Sequence, residues 1–244
     1  RRTSTDLPED MQNALRAARE REEPGSAAQG ALDTMLVNQD MSRRLSRPIC
    51  QDTGTPIFEV SYPVGVSTRQ LTAQIKQAVQ IATEKSYLRP NAVDSISGEN
   101  SGNNTGIEFP TIYFHEWDED SVHIALMLKG GGCENVGAQY SLPNAQLKAG
   151  RDLEGVRRVA LDAVNKAQGQ GCAPGVLGIA VGGDRGASYA FSKHQLFRPL
   201  GDRNADPELA ELEETIKDQA NELGIGPMGF GGQTTVIDTK ITGL

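Results

Sequence analysis

Three cysteines lie in glycine- or proline-rich segments and are the residues of this chain best suited to chemistry. Cys50 lies in RPICQDTG, Cys133 in GGGCEN and Cys172 in GQGCAPG. A structural cysteine more often lies in an apolar stretch, where it packs as a small hydrophobic residue. Cysteines in loops of this kind are more often accessible to a reactant or a metal, although a structural role stays open for each one taken alone.

The spacing of these thiols limits the kinds of site that they can form. It contains no CxxC pair, which argues against a zinc ribbon, and three cysteines without a secretory signal argue against a disulfide framework. Thiolates also hold iron–sulfur clusters, and wide spacing is acceptable there when loops converge. A cubane cluster with three cysteine ligands keeps one iron open as a Lewis acid for a hydroxyl and a carboxylate. Gln51, Asp52 and Arg89 could then orient such an acid and move a proton.

Two other kinds of site fit the sequence less well. The glycine-rich segments GGDRGA and GIGPMGFGG match neither the phosphate loop nor the dinucleotide fingerprint. A Cys/His nucleophile is an alternative, since the chain contains His115, His123 and His194. We expect His115 and His123 on strands, where a lone histidine is usually structural or at the surface. His194 is expected on an amphipathic helix and exposed, and no pattern selects a catalytic triad.

The composition argues against several classes of protein. The chain has 244 residues, a formal net charge of −8 and no long Lys/Arg cluster, so we expect no nucleic-acid partner. No apolar run approaches the roughly 18 residues of a membrane span and no signal peptide is visible, so we expect no membrane partner. The default location is the cytoplasm of a bacterium, with a trimmed organelle presequence as the alternative. Because the chain begins at Arg1 rather than methionine, we expect further residues upstream.

Helices and strands alternate along the sequence. The spacing of apolar residues predicts helices in 3–22, 27–45, 67–86, 153–168, 187–196 and 207–223. Apolar or alternating runs predict strands at 55–62, 111–117, 121–128, 176–181 and 234–241. The polar stretch 97–108 is predicted to be a flexible surface loop, and the strands around the acidic turn DED are predicted to form a hairpin. We therefore predict an α/β fold with mixed sheets flanked by helices rather than a doubly wound parallel sheet.

The segment PICQDTGT resembles the signature of the class I (iron–sulfur) fumarate hydratases and of the related L-tartrate dehydratase alpha subunits. The similarity continues in the right order through LRPNAV, NTG, KGGGCEN, GCAPGVLGIAVGG, SK…LFRPL, DPELAELE and LGIGPMGFGG, over nearly the whole chain. Each glycine-rich piece alone is weak evidence, but the combination is highly specific. The resemblance implies that residues 1–244 form a cluster-binding, alpha-subunit-like domain of a hydro-lyase, with the C-terminal end of the domain missing.

The resemblance also implies a set of cluster ligands. Cys50 and Cys172 match two of the three cysteines that hold a [4Fe–4S] cluster in this family. Cys133 stands where many fumarases have serine, so we expect that it does not bind iron. The third cysteine is expected beyond Leu244, and this chain alone would then not hold a complete, active cluster.

The substrate-binding residues are implied in the same way. Gln51 and Asp52 match positions that contact the bound hydroxy acid, and Arg89 matches an arginine that binds a substrate carboxylate. Gly132 matches a backbone position against the substrate, where glycine permits close approach. Asp52 would tune or relay the proton taken from the carbon next to a carboxylate, and the base that removes this proton is expected on the missing C-terminal part.

The implied reaction is the reversible hydration of fumarate to malate, without net redox change. The alternatives are an L-tartrate dehydratase alpha subunit, which GGGC favours, and an isolated non-catalytic subunit that needs a partner. A nucleotide-binding oxidoreductase is the alternative from a different class. The expected partners are a small dicarboxylate substrate and a beta subunit or C-terminal domain of the same enzyme, within a homo- or hetero-oligomer.

Overall fold

The chain divides into two compact units in the computed structural model, which describes residues 1–244. The first unit consists of Arg1–Leu7 and Val37–Gly131, and the second of Pro8–Leu36 and Gly132–Leu244. Each unit contains its own small sheet and its own helices, which confirms a mixed α/β fold with sheets flanked by helices. None of the helices combines the length and the apolar character that a membrane span requires.

The helices and strands lie close to the predicted positions. The helices are α1 Arg2–Thr5, α2 Glu9–Arg21, α3 Ala27–Leu45, α4 Thr68–Glu84, α5 Gly131–Asn135, α6 Leu153–Ala167, α7 Arg185–Gln195 and α8 Pro207–Glu222. The strands are β1 Thr55–Pro63, β2 Thr111–Trp117, β3 His123–Lys129, β4 Gly175–Val181 and β5 Val236–Gly243. The predicted helix 3–22 is divided into α1 and α2 by a break at residues 6–8, and the short helix α5 was not expected from the sequence.

The sheet of the first unit has the strand order β2-β1-β3. β1 runs parallel to β2 and antiparallel to β3. The predicted hairpin between β2 and β3 is therefore wrong, because β1 lies between the two strands that the acidic turn connects. Ile57, Phe58 and Val60 of β1 are all buried, and a strand that is apolar on both faces is more stable at the centre of a sheet than at its edge.

Helix α4 covers one face of this sheet and leads directly to a predicted site residue. Ser67 caps the helix by accepting a hydrogen bond from the N–H of Gln70. Ile75 and Val79 of α4 pack against the apolar side chains of β1, together with Leu88 beyond the helix end. Burial of each such side chain stabilises the unit by about 1.5–3 kcal/mol. Leu88 thereby anchors the segment that carries Arg89 to the core.

The second unit is built on the parallel pair β4 and β5, against which α7 and α8 pack. Helices α6 and α8 are capped by Asp152 and Asp206, whose carboxylates accept hydrogen bonds from backbone N–H groups of the first turn. The buried core residues of this unit are Val156, Ala160, Val164, Leu212, Ile216, Ala220, Ile225, Val236 and Ile241. β4 begins three residues after Cys172, so this core fixes one end of the loop that carries the thiol.

A network of charged side chains, of which Lys240 and Glu213 are buried, supports the second unit. The side chain of Lys240 is fully buried and its Nζ donates to the carbonyl oxygen of Asp202 at 2.7 Å. Arg198 forms ion pairs of 2.8 Å with both Asp202 and Glu213, and Glu213 also accepts from the N–H of Ile241 at 2.7 Å. The Arg198 guanidinium lowers the pKa of Asp202. The stability from this pairing is therefore present above the ordinary Asp pKa and is lost as the pH falls through the lowered value.

Glu213→Gln is expected to lower the free energy of unfolding by about 3 kcal/mol, because it removes one charge of a buried pair. Urea unfolding of the variant and the wild type measures the difference. The neighbouring change Glu214→Gln is the matched control, because the Glu214 side chain is 35% exposed and pairs with Lys217 at the surface. Such a surface pair contributes less than about 1 kcal/mol. Equal losses in the two variants would contradict a stabilising role of the buried network.

Candidate functional site

The carboxylate of Asp52 is held at a fixed position in the first unit. Its Oδ1 accepts a hydrogen bond from the N–H of Gly54 at 3.0 Å, and its Oδ2 accepts from the N–H of Gly131 at 2.6 Å. The side-chain amide of Asn91 lies 3.5 Å from Oδ1. Three separate stretches of chain therefore orient this carboxylate, which is only partly buried and can be reached by a ligand.

Gly54 makes the close packing around Asp52 possible. Its φ is +83°, and an added Cβ would lie 2.6 Å from the carbonyl carbon of Lys129 at the end of β3. Real Cβ atoms do not approach backbone atoms this closely, so the backbone at this point has to move if any other residue is present. The glycine therefore brings the beginning of β1 into direct contact with the end of β3.

Gly54→Ala is expected to lower the free energy of unfolding by about 3 kcal/mol. A left-handed backbone costs alanine about 1–2 kcal/mol, and relief of the clash with Lys129 costs about 1–3 kcal/mol more. Urea unfolding measures the loss. Gly65→Ala is the control, because Gly65 has a φ of +89° with no atom within 4 Å of an added Cβ. If both variants lose the same stability, the contact with Lys129 has no energetic consequence.

Arg89 lies next to the Asp52 loop. Its backbone N–H donates to Thr53 Oγ1 at 3.0 Å, and its guanidinium Nη1 donates to the carbonyl oxygen of Gln51 at 2.9 Å. A guanidinium has five N–H donors in a planar fork, so this bond leaves donors with the geometry that a carboxylate requires. Arg89 and Gln51 are both exposed. The structure thus brings Gln51, Asp52 and Arg89 together within one hydrogen-bonded cluster.

A buried asparagine from the polar stretch 97–108 completes this cluster. Asn104 is only 2% exposed, so the prediction of a flexible surface loop is wrong at this residue. Its φ is +58°, a left-handed conformation that asparagine adopts more readily than most residues. Neither Asn91 nor Asn104 was predicted from the sequence to have a role. The one local signal was the Asn-Thr-Gly sequence, because Asn and Gly are the residues that most easily occupy left-handed backbone.

Of the predicted residues, Cys50 lies in the first unit, and Gly132 and Cys172 belong to the second. Cys172 is exposed and has a φ of +60°. An added Cβ on Gly132 would lie 3.2 Å from the carbonyl oxygen of Gln170, so Gly132 packs against the loop that precedes Cys172. Cys133 is half-buried and its Sγ donates to the carbonyl oxygen of Gly171 at 3.1 Å. The segments around Gly132 and Cys172 therefore form a second loop cluster.

The exposure of the thiols fits the binding of a cluster by Cys50 and Cys172. Both lie in exposed loops rather than in a core, and none of the three cysteines forms a disulfide. An exposed thiol can be reached by iron, which binds cysteine as the thiolate. Cys133 differs, because its thiol is partly buried and already donates to a backbone carbonyl. Cys50 and Cys172 lie in different units, and the exposure of each thiol separately fits the role of a ligand.

The three histidines differ in their exposure, since His115 and His123 are exposed and His194 is half-buried. His115 and His123 lie on β2 and β3, as predicted, and His115 Nε2 lies 2.5 Å from Glu59 Oε2 on the adjacent strand. The expectation that His194 is exposed is wrong, because it is half-buried in α7. Its ring lies 6.1 Å from that of Phe191 and 6.3 Å from that of Phe197, and these contacts shield it from solvent.

Comparison with known proteins identifies the family. Residues 1–244 match the family described as "Fumarate hydratase (Fumerase)". The chain therefore belongs to the fumarate hydratase family, which confirms the resemblance seen in its motifs.

Two curated relatives illustrate the range of the similarity. The chain is 48% identical over 242 residues to "Putative fumarate hydratase class I" of Geobacillus stearothermophilus, covering 98% of this chain and 47% of that protein. It is 31% identical over 247 residues to "L(+)-tartrate dehydratase subunit alpha" of Escherichia coli strain K12, covering 98% of this chain and 77% of that subunit. The chain thus spans about half the length of the fumarate hydratase relative and most of the tartrate dehydratase subunit.

Proposed function

We propose that this chain is the cluster-binding part of a hydro-lyase that reversibly hydrates fumarate to malate. The observation that carries the proposal is the hydrogen-bonded cluster of Gln51, Asp52 and Arg89 in a member of the fumarate hydratase family. Arg89 provides a cation for a substrate carboxylate, and the Gln51 side chain provides an amide for a second polar group of the substrate. Asp52 provides an oriented carboxylate for proton transfer. Under this proposal residues 1–244 belong to an Fe–S hydro-lyase alpha-type domain.

Binding of the dicarboxylate would use Arg89, Gln51 and Gly132. The exposed guanidinium of Arg89 provides charge-assisted hydrogen bonds to one substrate carboxylate. The exposed side chain of Gln51 offers both a donor and an acceptor beside it. Gly132 has no side chain, so its backbone lets the substrate approach closely. These groups fix the substrate before the reaction begins and lower the entropic part of the barrier.

Asp52 would accept and transfer the proton during the reaction. Two backbone N–H groups hold its carboxylate, at 3.0 and 2.6 Å, so the remaining acceptor positions point in defined directions. A carboxylate oriented in this way can accept a proton from one group and pass it to another within hydrogen-bond distance. The base that first removes the proton from carbon would lie outside residues 1–244.

Cys50 and Cys172 would hold a [4Fe–4S] cluster, with a third cysteine from the part of the longer relatives that this chain does not span. When bound, the cluster supplies a Lewis acid for the substrate hydroxyl and one carboxylate. The exposure of the two thiols supports this ligand choice. The hydrogen bond from Cys133 to the Gly171 carbonyl supports its exclusion from the ligand set.

A partner would complete the site. The Escherichia coli relative is named as an alpha subunit, which supports a beta subunit or a further domain as the partner of this chain. The same relative supports L-tartrate dehydratase as the second candidate function. The higher identity to the protein named as a class I fumarate hydratase favours fumarate as the substrate.

Anaerobic turnover by the full-length protein tests the proposal. We expect hydration of fumarate with a kcat/KM that exceeds that for dehydration of L-tartrate by more than about tenfold, a ratio that differential binding of one polar group readily provides. Faster turnover of tartrate would favour the second candidate. NAD binding without turnover of either acid would instead support the nucleotide-binding class and overturn the proposal.

A further inference from the structure

Asn104 joins the Arg89 segment to the core of the first unit through four hydrogen bonds. Its Oδ1 accepts from the N–H groups of Asn91 at 2.6 Å and Ala92 at 3.2 Å. Its Nδ2 donates to the carbonyl oxygen of Arg89 at 2.6 Å and to Thr83 Oγ1 at 2.9 Å. The amide therefore uses both its donors and its acceptor while only 2% of the residue is exposed. Such a fully satisfied buried amide specifies one local conformation.

These hydrogen bonds fix the position of the Arg89 backbone, from which the side chain projects. Asn104 holds the carbonyl oxygen of Arg89 and the next two backbone N–H groups that follow Pro90. Thr53 holds the N–H of Arg89, so the backbone is fixed on both sides of this residue. The guanidinium itself is exposed. Its direction therefore depends on the backbone at residue 89 and on the hydrogen bond from Nη1 to the Gln51 carbonyl oxygen, rather than on packing of the side chain.

We propose that Asn104 is a positioning residue that sets the affinity of Arg89 for a substrate carboxylate. The inference rests on the proposed function of Arg89 and adds a residue that does not touch the substrate. Without the Asn104 amide, two N–H groups and one carbonyl lose their partner, and the backbone at residues 89–92 becomes free to move. Arg89 then binds a carboxylate only after it has been ordered, and ordering on binding lowers affinity.

The expected effect falls on KM rather than on kcat. Asp52 is held mainly by the N–H groups of Gly54 and Gly131, which Asn104 does not contact. The Asn91 amide, whose backbone Asn104 does hold, adds only a long contact of 3.5 Å to Oδ1, so the proton-transfer group keeps its two short hydrogen bonds. A carboxylate bound equally in the ground state and in the transition state contributes to KM alone. We expect a rise in KM of about tenfold, equal to about 1.4 kcal/mol, with kcat changed by less than about twofold.

Asn104→Gly is the informative variant. Glycine adopts the φ of +58° without strain, so the variant removes the hydrogen bonds but keeps the backbone conformation accessible. Asn104→Asp is the second variant, in case the first does not fold. It retains the acceptor for the two N–H groups but sets a carboxylate oxygen against the Arg89 carbonyl oxygen, so we expect KM to rise in this variant as well. Val79→Ala is the control, since Val79 is a core residue of the same unit, 2% exposed, and its side chain is not part of the network.

The experiment compares these variants in the full-length protein, prepared anaerobically. Steady-state hydration of fumarate gives KM and kcat, urea unfolding gives the loss of stability, and calorimetry gives the Kd of malate. A raised KM in both Asn104 variants, with KM unchanged in Val79→Ala, supports the proposal. An unchanged KM in a folded Asn104 variant overturns it, and so does an equal rise in Val79→Ala.

A failure of the proposed function can be distinguished from a failure of the Asn104 proposal. If the wild type does not hydrate fumarate, the proposed function fails, and the malate Kd alone decides the role of Asn104. A Kd raised about tenfold in Asn104→Gly, equal to about 1.4 kcal/mol, still supports the positioning role. An unchanged Kd, or no malate binding by the wild type, overturns it.

Discussion

Replacement of Asp52 by asparagine is expected to lower kcat for fumarate hydration by about 10²- to 10⁴-fold, the range that a positioned proton-transfer group contributes. The asparagine side chain has nearly the same shape, but it cannot take up and release a proton. Its NH₂ group would also face the N–H of Gly54 or Gly131, each of which needs an acceptor. Anaerobic rate assays measure the loss of kcat, and visible absorbance shows whether the cluster is retained.

The control for this prediction is a carboxylate of similar type outside the site. Asp118 lies in the exposed turn between β2 and β3, so Asp118→Asn is expected to leave kcat unchanged. An Asp52→Asn variant with full kcat would contradict a role in proton transfer. A variant that loses its visible absorbance would instead show that Asp52 acts by supporting the neighbouring Cys50.

Replacement of Cys50 or Cys172 by serine is expected to abolish both the visible absorbance of the cluster and the hydration activity. A serine hydroxyl ionises far less readily than a thiol, so it does not replace a thiolate as an iron ligand at neutral pH. Cys133→Ser is the matched control, because it makes the same chemical change at the thiol that donates to the Gly171 carbonyl. Iron content, acid-labile sulfide and visible spectra of the three variants measure the outcome.

The pattern among these variants decides the ligand set. Loss of the cluster in Cys133→Ser together with its retention in Cys172→Ser would reverse the assignment. Urea unfolding of the proteins without cluster separates a missing ligand from a misfolded chain. Because Cys50 and Cys172 are exposed, we expect their replacement to leave the stability of the cluster-free protein nearly unchanged.

The local elements of the fold could be predicted from the sequence, but the pairing of strands could not. Helix α4 has a serine cap and an apolar stripe, both of which are local signals. β2 and β3 are joined by a short acidic turn, and such a connection usually indicates a hairpin. The buried strand β1 competes for the same hydrogen bonds and separates them. That outcome depends on contacts between residues that are distant in sequence.

The residues of the candidate site could also be predicted from local motifs, whereas the contacts between them could not. Cys50, Gln51 and Asp52 are adjacent in sequence and were predicted from one motif, and Arg89 was predicted from a second. Nothing in the sequence spacing shows that the Arg89 guanidinium meets the Gln51 carbonyl. Asn104 was missed because its importance comes from burial, and a polar residue among glycines and asparagines predicts the opposite.

The hydrogen bond from Cys133 to the Gly171 carbonyl explains which replacements position 133 can tolerate. Under the proposed ligand set, position 133 requires a small side chain that donates one hydrogen bond rather than a sulfur ligand. A serine hydroxyl can donate to the same carbonyl, whereas alanine would leave a partly buried acceptor unsatisfied. If the proposed ligand set holds, a thiol and a hydroxyl at position 133 are therefore equivalent as hydrogen-bond donors, and the count of cysteines in the chain overstates the number of iron ligands.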